Sequence, residues 1–223
     1  MGKSIAEKHW DYLLLFEDDL SEIFKVVEPD EGNYSCYGPK IVKLFLSVCS
    51  EIDAAFKDLA LLTESGIKLS GQPNISQYHK IIDGSLREEF SKPVVIFRGT
   101  TVCRSPWKQW LEQKGSPVAP DWWRSYNNVK HGRIEHYAEG NLCNLLDAIA
   151  GLFIVDSCIY LYQQMNDECP VDIRRTLLLE FVEGHDALGS NDPLYYAGAG
   201  RLVSSVGFHR NPLNGFEKRH KKG

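Results

Sequence analysis

The residues whose types and spacing best suit chemistry lie in one short segment, WWRSYNNVKHGR at 122–133. On a helix each residue advances by about 100°, so the segment divides into two faces. One face is apolar and carries Trp122, Tyr126 and Val129. The opposite face carries a cation, two amides and a titratable imidazole: Arg124, Asn127, Asn128 and His131.

The polar face suits the chemistry of a phosphate ester. Arg124 offers a planar fork of donors to phosphate oxygens and keeps its charge at physiological pH. An imidazole has an unperturbed pKa of about 6.5 and can move protons, and an asparagine amide can orient a hydroxyl or donate to an oxyanion. Lys130 and Arg133 add positive charge beside His131 and are candidate substrate-binding residues, so the local charge opposes that of the acidic chain. A solvated helix surface is the alternative interpretation.

Helical periodicity supplies the elements that must position this segment. Apolar residues recur at helical spacing over about 5–27, 40–62 and 137–165, and the two-sided segment itself predicts a helix over 121–131. Asp121, which follows Pro120, is predicted to cap that helix, and Gly132 is predicted to end it. The expected fold class is therefore mainly α, with the helix over 137–165 the longest.

Glycine and proline break the periodicity on either side of these helices. The stretch 63–119 is predicted to be an insertion of loops and short strands, with a strand at 93–97 and a helical turn at 107–111. Beyond Pro170, an irregular extension over about 170–223 contains a further predicted strand at 176–182. The whole chain, 1–223, is interpreted as a single domain.

Composition and charge narrow the function classes. The chain has 223 residues, and its 43% hydrophobic content is enough to close a sizeable core. A net charge of -5 excludes the broad positive field of a non-specific nucleic-acid binder, and no DNA-specific motif is present. Six cysteines without a C-x-x-C pair predict reduced thiols. The N-terminus lacks a signal-peptide pattern, and the longest apolar stretch, 148–155, is short for a spanning helix, so we expect a cytoplasmic protein without a membrane partner.

Other chemistries have weaker support in the sequence. His131 and His136 are five positions apart with Glu135 adjacent, but H-E-x-x-H spacing is absent, so no metal or cofactor is expected. A serine hydrolase would need a G-x-S-x-G elbow, which the sequence lacks. The pair His185 and Asp186 lies among glycines and predicts a turn.

Three segments resemble the HEPN superfamily of helical proteins. They are EIDAAFK at 51–57, DWWRSYNNVKHGR at 121–133 and NLCNLLDAIAGLF at 141–153. The resemblance covers the helical framework and implies an up-and-down helical bundle. The hallmark of the superfamily is an arginine and a histidine with four to six residues between them, near the start of the last core helices. Arg124 and His131, with six residues between them, are similar to that pattern at its upper limit.

The resemblance also implies a mechanism. Active members are metal-independent endoribonucleases in which two protomers bring arginine and histidine into one cleft. His131 would act as base or acid on the ribose 2′-hydroxyl and the leaving oxygen, and Arg124 would bind the scissile phosphate. Asn127 or Asn128 would orient the group being deprotonated.

Support for this site is expected from the second helix. Glu51 or Asp53 would pair with Arg124 or His131 and hold its geometry, and Lys57 belongs to the same supporting segment. The function implied is an RNA-cleaving homodimer in phage defence or toxin-type growth control. The alternative is a non-catalytic HEPN-like module that binds a partner protein or RNA.

Overall fold

Helices dominate the computed structural model, which describes residues 2–63, 73–82, 90–112, 119–166 and 174–181. The helices are α1 (Ile5–Phe24), α2 (Pro39–Leu62), α3 (Ile75–Ile81), α4 (Gln109–Glu112), α5 (Asp121–His131), α6 (Arg133–His136) and α7 (Leu142–Asn166). The strands are β1 (Val95–Phe97), β2 (Cys103–Arg104) and β3 (Leu179–Phe181), and short 3-10 turns occupy Glu31–Asn33 and Tyr137–Glu139. The predicted mainly helical class is confirmed.

The core lies where α1, α2 and α7 pack together. α7 is apolar on nearly all sides, and a helix of that kind must be enclosed. Its residues from Leu145 to Val155 are all buried or nearly so, with Asp147 the half-buried exception. The stretch Leu142–Gln164 is long and apolar enough to cross a membrane, but core helices meet the same criterion, and 78% of its most apolar window is buried within the protein.

The start of α7 differs from the prediction. We expected the helix to begin at 137, but it begins at Leu142, after α6 and a 3-10 turn. The side chain of Asn141 accepts a hydrogen bond from the backbone N–H of Asn144 at 3.0 Å, as a helix cap does. The carbonyls of Cys36 and Tyr34 accept from the N–H groups of residues 142 and 143, at 2.8 and 3.0 Å. A distant loop therefore completes the cap.

The predicted cap of α5 is wrong. Asp121 is the first helical residue rather than the cap, and Pro120 occupies the cap position without a side-chain hydrogen bond. Instead, Gln109 of α4 accepts the backbone N–H of Asp121 at 2.9 Å through its Oε1. The first turn of α5 is thus satisfied by a neighbouring helix. Gly132 ends α5 as expected.

The three strands form one antiparallel sheet in the order β2-β1-β3. The strands predicted at 93–97 and 176–182 are confirmed in part, as β1 and β3, and β2 was not predicted. β1 pairs with β3 through Val95 opposite Phe181, so the segment after α7 joins the insertion before α5. Phe181 stacks on Phe153 of α7 with ring centroids 4.5 Å apart, which places the sheet on the core.

Glu17 of α1 holds the chain that leads into β3. Its buried carboxylate accepts the backbone N–H groups of residues 177, 178 and 179 at 2.8, 2.5 and 3.0 Å. These three donors provide hydrogen bonds to both oxygens of the carboxylate and stabilise its negative charge. Because these donors precede or begin β3, Glu17 fixes the docking of that strand on α1.

We expect Glu17→Gln to lower the free energy of unfolding by about 2 kcal/mol. The amide lacks the charge and turns its NH2 group toward backbone donors that then lose an acceptor. Urea denaturation followed by circular dichroism measures the change, with Asp19→Asn on the exposed side of α1 as the matched control. Equal midpoints for Glu17→Gln and wild type would contradict the assigned role.

Candidate functional site

The apolar face of α5 fixes the helix in the core, as predicted. Trp122, Tyr126 and Val129 are buried, and Trp123 joins them. Trp122 donates from Nε1 to the carbonyl of Pro106 at 2.9 Å. Its ring meets Trp107 at 5.0 Å between centroids. A helix held in this way presents its other face at a defined orientation.

The close packing beneath Trp122 depends on a glycine of α7. A Cβ added at Gly151 would lie 3.3 Å from ring atoms of both Trp107 and Trp122. Trp107 also donates to the carbonyl of Gly151 at 3.3 Å. The two indoles therefore rest on bare backbone, and this brings α5 against α7.

The polar face of α5 lies at the surface, as the spacing predicts. Arg124, Asn128 and His131 are exposed, and Asn127 is half-buried. A shallow, open pocket runs along this face, lined by Asp121, Arg124, Ser125, Asn127, Asn128 and Glu139. The structure thus brings Arg124 and both asparagines to one pocket, and His131 follows at the end of the same helix.

Arg124 pairs with a carboxylate of its own helix. Its guanidinium bonds to Asp121, one turn earlier, and Asp121 also accepts from Nε2 of Gln109 at 2.8 Å. The side chains of Arg124 and Asp121 are 60% and 64% exposed, and an ion pair this exposed is worth about 0–1 kcal/mol. A phosphate could therefore replace Asp121 as the partner of Arg124 at little cost.

His131 has no hydrogen bond or ion pair within the part of the chain that the structure describes, and it is exposed. Arg133 is exposed as well, on the short helix α6. The Lys130 ammonium lies 5.3 Å from the centroid of the Tyr126 ring, so this side chain extends toward the apolar face of α5. Lys130 is nevertheless exposed, so the side chains of all three residues are open to a ligand.

The predicted local excess of positive charge is wrong. Asp121, the first residue of α5, pairs with Arg124, and the segment after α5 adds two more carboxylates, Glu135 and Glu139, so the three cations have three acidic neighbours in sequence. The segment 122–133 gives a positive balance because it begins after Asp121 and ends before Glu135 and Glu139. The face is close to neutral overall, with cations and carboxylates interspersed.

The predicted support from α2 is also wrong. Glu51 does not meet Arg124 or His131, because its Oε1 lies 2.7 Å from Nδ1 of His9. Asp53 accepts from the Tyr78 hydroxyl and from Lys57, whose Nζ is 2.5 Å from Asp53 Oδ2. These three residues, Glu51, Asp53 and Lys57, are therefore occupied elsewhere.

The physical reason is the face by which α2 meets α5. Phe45 of α2 packs edge-on against Tyr126 of α5, with ring centroids 6.4 Å apart. The contact is apolar on both sides, so the polar face of α5 points away from α2. Burial, with the nearby Cys49 and Asp53, raises the pKa of Tyr126 to about 12, which keeps the phenol neutral at that contact.

The sequence did not predict two features of the site. These are the presence of Glu139 and the contact that His136 makes with it. Glu139 accepts from Asn128 Nδ2 at 2.9 Å through Oε2, and its Oε1 lies 2.6 Å from His136 Nδ1. Burial opposes ionisation of Glu139, but hydrogen bonds from Asn128, His136 and Ser125, with the nearby His136, lower its pKa. The spacing His-x-x-Glu at 136–139 was a usable signal, but the predicted helix start at 137 divided it.

In the described ranges, no group of three or more His, Cys, Asp or Glu side chains is arranged to hold a metal ion. Comparisons with protein-family models, curated proteins and solved structures find no match to this chain. The structure itself defines the class: a mainly helical protein with a small antiparallel sheet and an anchored helix whose exposed face carries Arg124, Asn127, Asn128 and His131.

Proposed function

We propose that the polar face of α5 binds RNA and cleaves it without a metal, as in HEPN-type endoribonucleases. One observation carries the proposal: Arg124 and His131 are both exposed on the same side of a helix whose other side is locked in the core. On one rigid helix, the cation can stabilise a phosphate and the unpaired imidazole can transfer a proton. The cellular role that follows is phage defence or toxin-type growth control in the cytoplasm.

The proposed reaction divides its work among these side chains. The ribose 2′-oxygen attacks the adjacent phosphorus, and the bond from phosphorus to the 5′-oxygen breaks, which leaves a 2′,3′-cyclic phosphate and a 5′-hydroxyl. Arg124 exchanges Asp121 for the phosphate and stabilises its developing charge. His131 transfers a proton at the reacting oxygens, and Asn127 or Asn128 orients the hydroxyl. Lys130 and Arg133 bind flanking phosphates.

A homodimer suits this arrangement. The midpoint between Arg124 and His131 falls between Asn127 and Asn128. A two-fold axis at that midpoint pairs two antiparallel copies of α5, and it places Arg124 of one protomer opposite His131 of its partner. Seven residues of helix span about 10.5 Å, so such pairing brings the two groups closer than they are along one helix.

We expect purified protein to cleave single-stranded RNA in the presence of EDTA. Arg124→Ala and His131→Ala should each lower kcat/KM by about 100-fold or more, because one removes the charge at the phosphate and the other a proton-transfer group. A fluorogenic RNA measures the rate, and mass spectrometry identifies the cyclic phosphate. Arg174→Ala, whose side chain is 77% exposed, is the matched control. Full activity in either site variant would refute the proposal.

A second candidate is a non-catalytic module of the same helical type that binds a partner protein or RNA. The observation that favours it is the pocket lining, in which Asp121 and Glu139 place two carboxylates beside Arg124. Mixed charge suits a protein surface better than a polyanion. This candidate predicts a stable complex, with an affinity that changes with salt and with Arg133→Ala, and no turnover. Metal-free cleavage abolished by His131→Ala would exclude it.

A further inference from the structure

The carboxylate of Glu139 joins α5 to the segment that follows it. Its Oε2 accepts a hydrogen bond from Asn128 Nδ2 at 2.9 Å, and its Oε1 lies 2.6 Å from His136 Nδ1. Because Asn128 and Glu139 both line the pocket that contains Arg124, the carboxylate connects that pocket directly to the imidazole of His136. His136 is therefore one hydrogen bond away from the wall of the candidate site.

The contact with Glu139 determines which ring nitrogen of neutral His136 carries the proton. An ionised carboxylate only accepts hydrogen bonds, so Nδ1 of His136 must carry the proton. In the neutral imidazole the lone pair is then on Nε2, which has no hydrogen bond within the described residues. A carboxylate on Nδ1, with the lone pair on Nε2, is the arrangement that orients the histidine of a catalytic triad. His131 has no such carboxylate.

Gly132 provides the space for this imidazole. A Cβ added at Gly132 would lie 2.9 Å from Cδ2 and 3.6 Å from Nε2 of His136, so a larger residue there would displace the ring from this position. The backbone does not itself require glycine, since φ at Gly132 is -134°. The ring of His136 thus lies over the residue next to His131, at the junction of α5 and α6.

We propose that His136 is the general base of this site, with Glu139 as its positioning residue and His131 as the general acid. The inference rests on the proposed function and adds the second proton-transfer group that RNA cleavage requires. Nε2 of His136 takes the proton of the 2′-hydroxyl as the bond from O2′ to phosphorus forms. Protonated His131 gives its proton to the 5′-oxygen as the bond from phosphorus to that oxygen breaks. One proton is accepted and one is donated, so the step needs no other reactant.

Kinetics in EDTA with a short fluorogenic RNA test the assignment. We expect His136→Ala to lower kcat by about 100-fold, with KM within about twofold, and added imidazole to restore part of kcat. Glu139→Gln should lower kcat by about 10-fold, because the imidazolium loses its counter-charge as it forms. The matched control is Glu135→Gln, an exposed carboxylate of α6, which should keep the wild-type kcat.

The results separate this inference from the function on which it rests. Full kcat in His136→Ala, together with an inactive His131→Ala, would overturn the role of His136 and leave an RNA-cleaving enzyme. Absence of any cleavage by the wild-type protein would overturn the proposed function and the inference with it. A measurement without turnover adds an independent check, because nitrogen-15 NMR should find His136 protonated at Nδ1 when neutral. A proton at Nε2 instead would overturn the assignment even in an active enzyme.

Discussion

Replacing His9 with alanine should lower the free energy of unfolding by about 2–3 kcal/mol, because it removes a buried imidazolium that bridges two partly exposed carboxylates. His9 is buried between α1 and α2, with Nδ1 2.7 Å from Glu51 Oε1 and Nε2 2.9 Å from Asp58 Oδ2. Only the imidazolium can donate from both nitrogens. Burial opposes the charge of His9, but the hydrogen bond to Glu51, the charge of Asp156 and the hydrogen bond to Asp58 raise its pKa to about 9.

Urea or thermal denaturation at pH 6, where His9 is charged, measures this loss. The exposed His131→Ala variant is the control for a histidine without buried partners, and its free energy of unfolding should stay within about 0.5 kcal/mol of wild type. A loss below about 1 kcal/mol in His9→Ala would show that water replaces the imidazolium between the carboxylates.

The helices and their faces were predictable because apolar periodicity is a local property. The spacing of Trp122, Tyr126 and Val129 is enough to give the buried face of α5, and therefore the exposed side of Arg124 and His131. The same reasoning identified α1, α2 and α7, with ends within a few residues except at the start of α7. There, the carbonyls that complete the cap come from a loop more than 100 positions earlier, which local patterns do not report.

The polar partners were not predictable for the same physical reason. A pattern gives the face of a helix but not the element that covers it, so Glu51 was assigned to the candidate site. In the structure its partner is His9, 42 positions away on α1. Glu139 escaped notice because the contact with Asn128 needs the turn after α5, whose geometry follows from tertiary packing.

Asp156 of α7 completes the buried cluster beside His9. Its carboxyl group is 1% exposed, and neither oxygen has a hydrogen bond within the described residues. Burial raises the pKa of Asp156 to about 8, with the charge of His9 acting against the shift and that of Glu51 adding to it. The cause is that an apolar helix interior disfavours the charged form of a carboxyl group that has no hydrogen-bond partner.

The protein should lose stability as the pH rises, and Asp156→Asn should remove most of that loss. A carboxyl group with a raised pKa stabilises the fold below its unfolded value, about 3.9, and this contribution disappears as the pH passes the folded value of about 8. His9 acts in the same direction between about 6.5 and 9. Because asparagine resembles the neutral carboxyl group and does not titrate, the variant should gain stability relative to wild type as the pH rises from about 4 to about 8. Between pH 5 and pH 9 this relative gain should be on the order of 4 kcal/mol. Urea titrations at both values measure the difference, and a constant difference at pH 5 and 9 would mean that Asp156 stays ionised in the core.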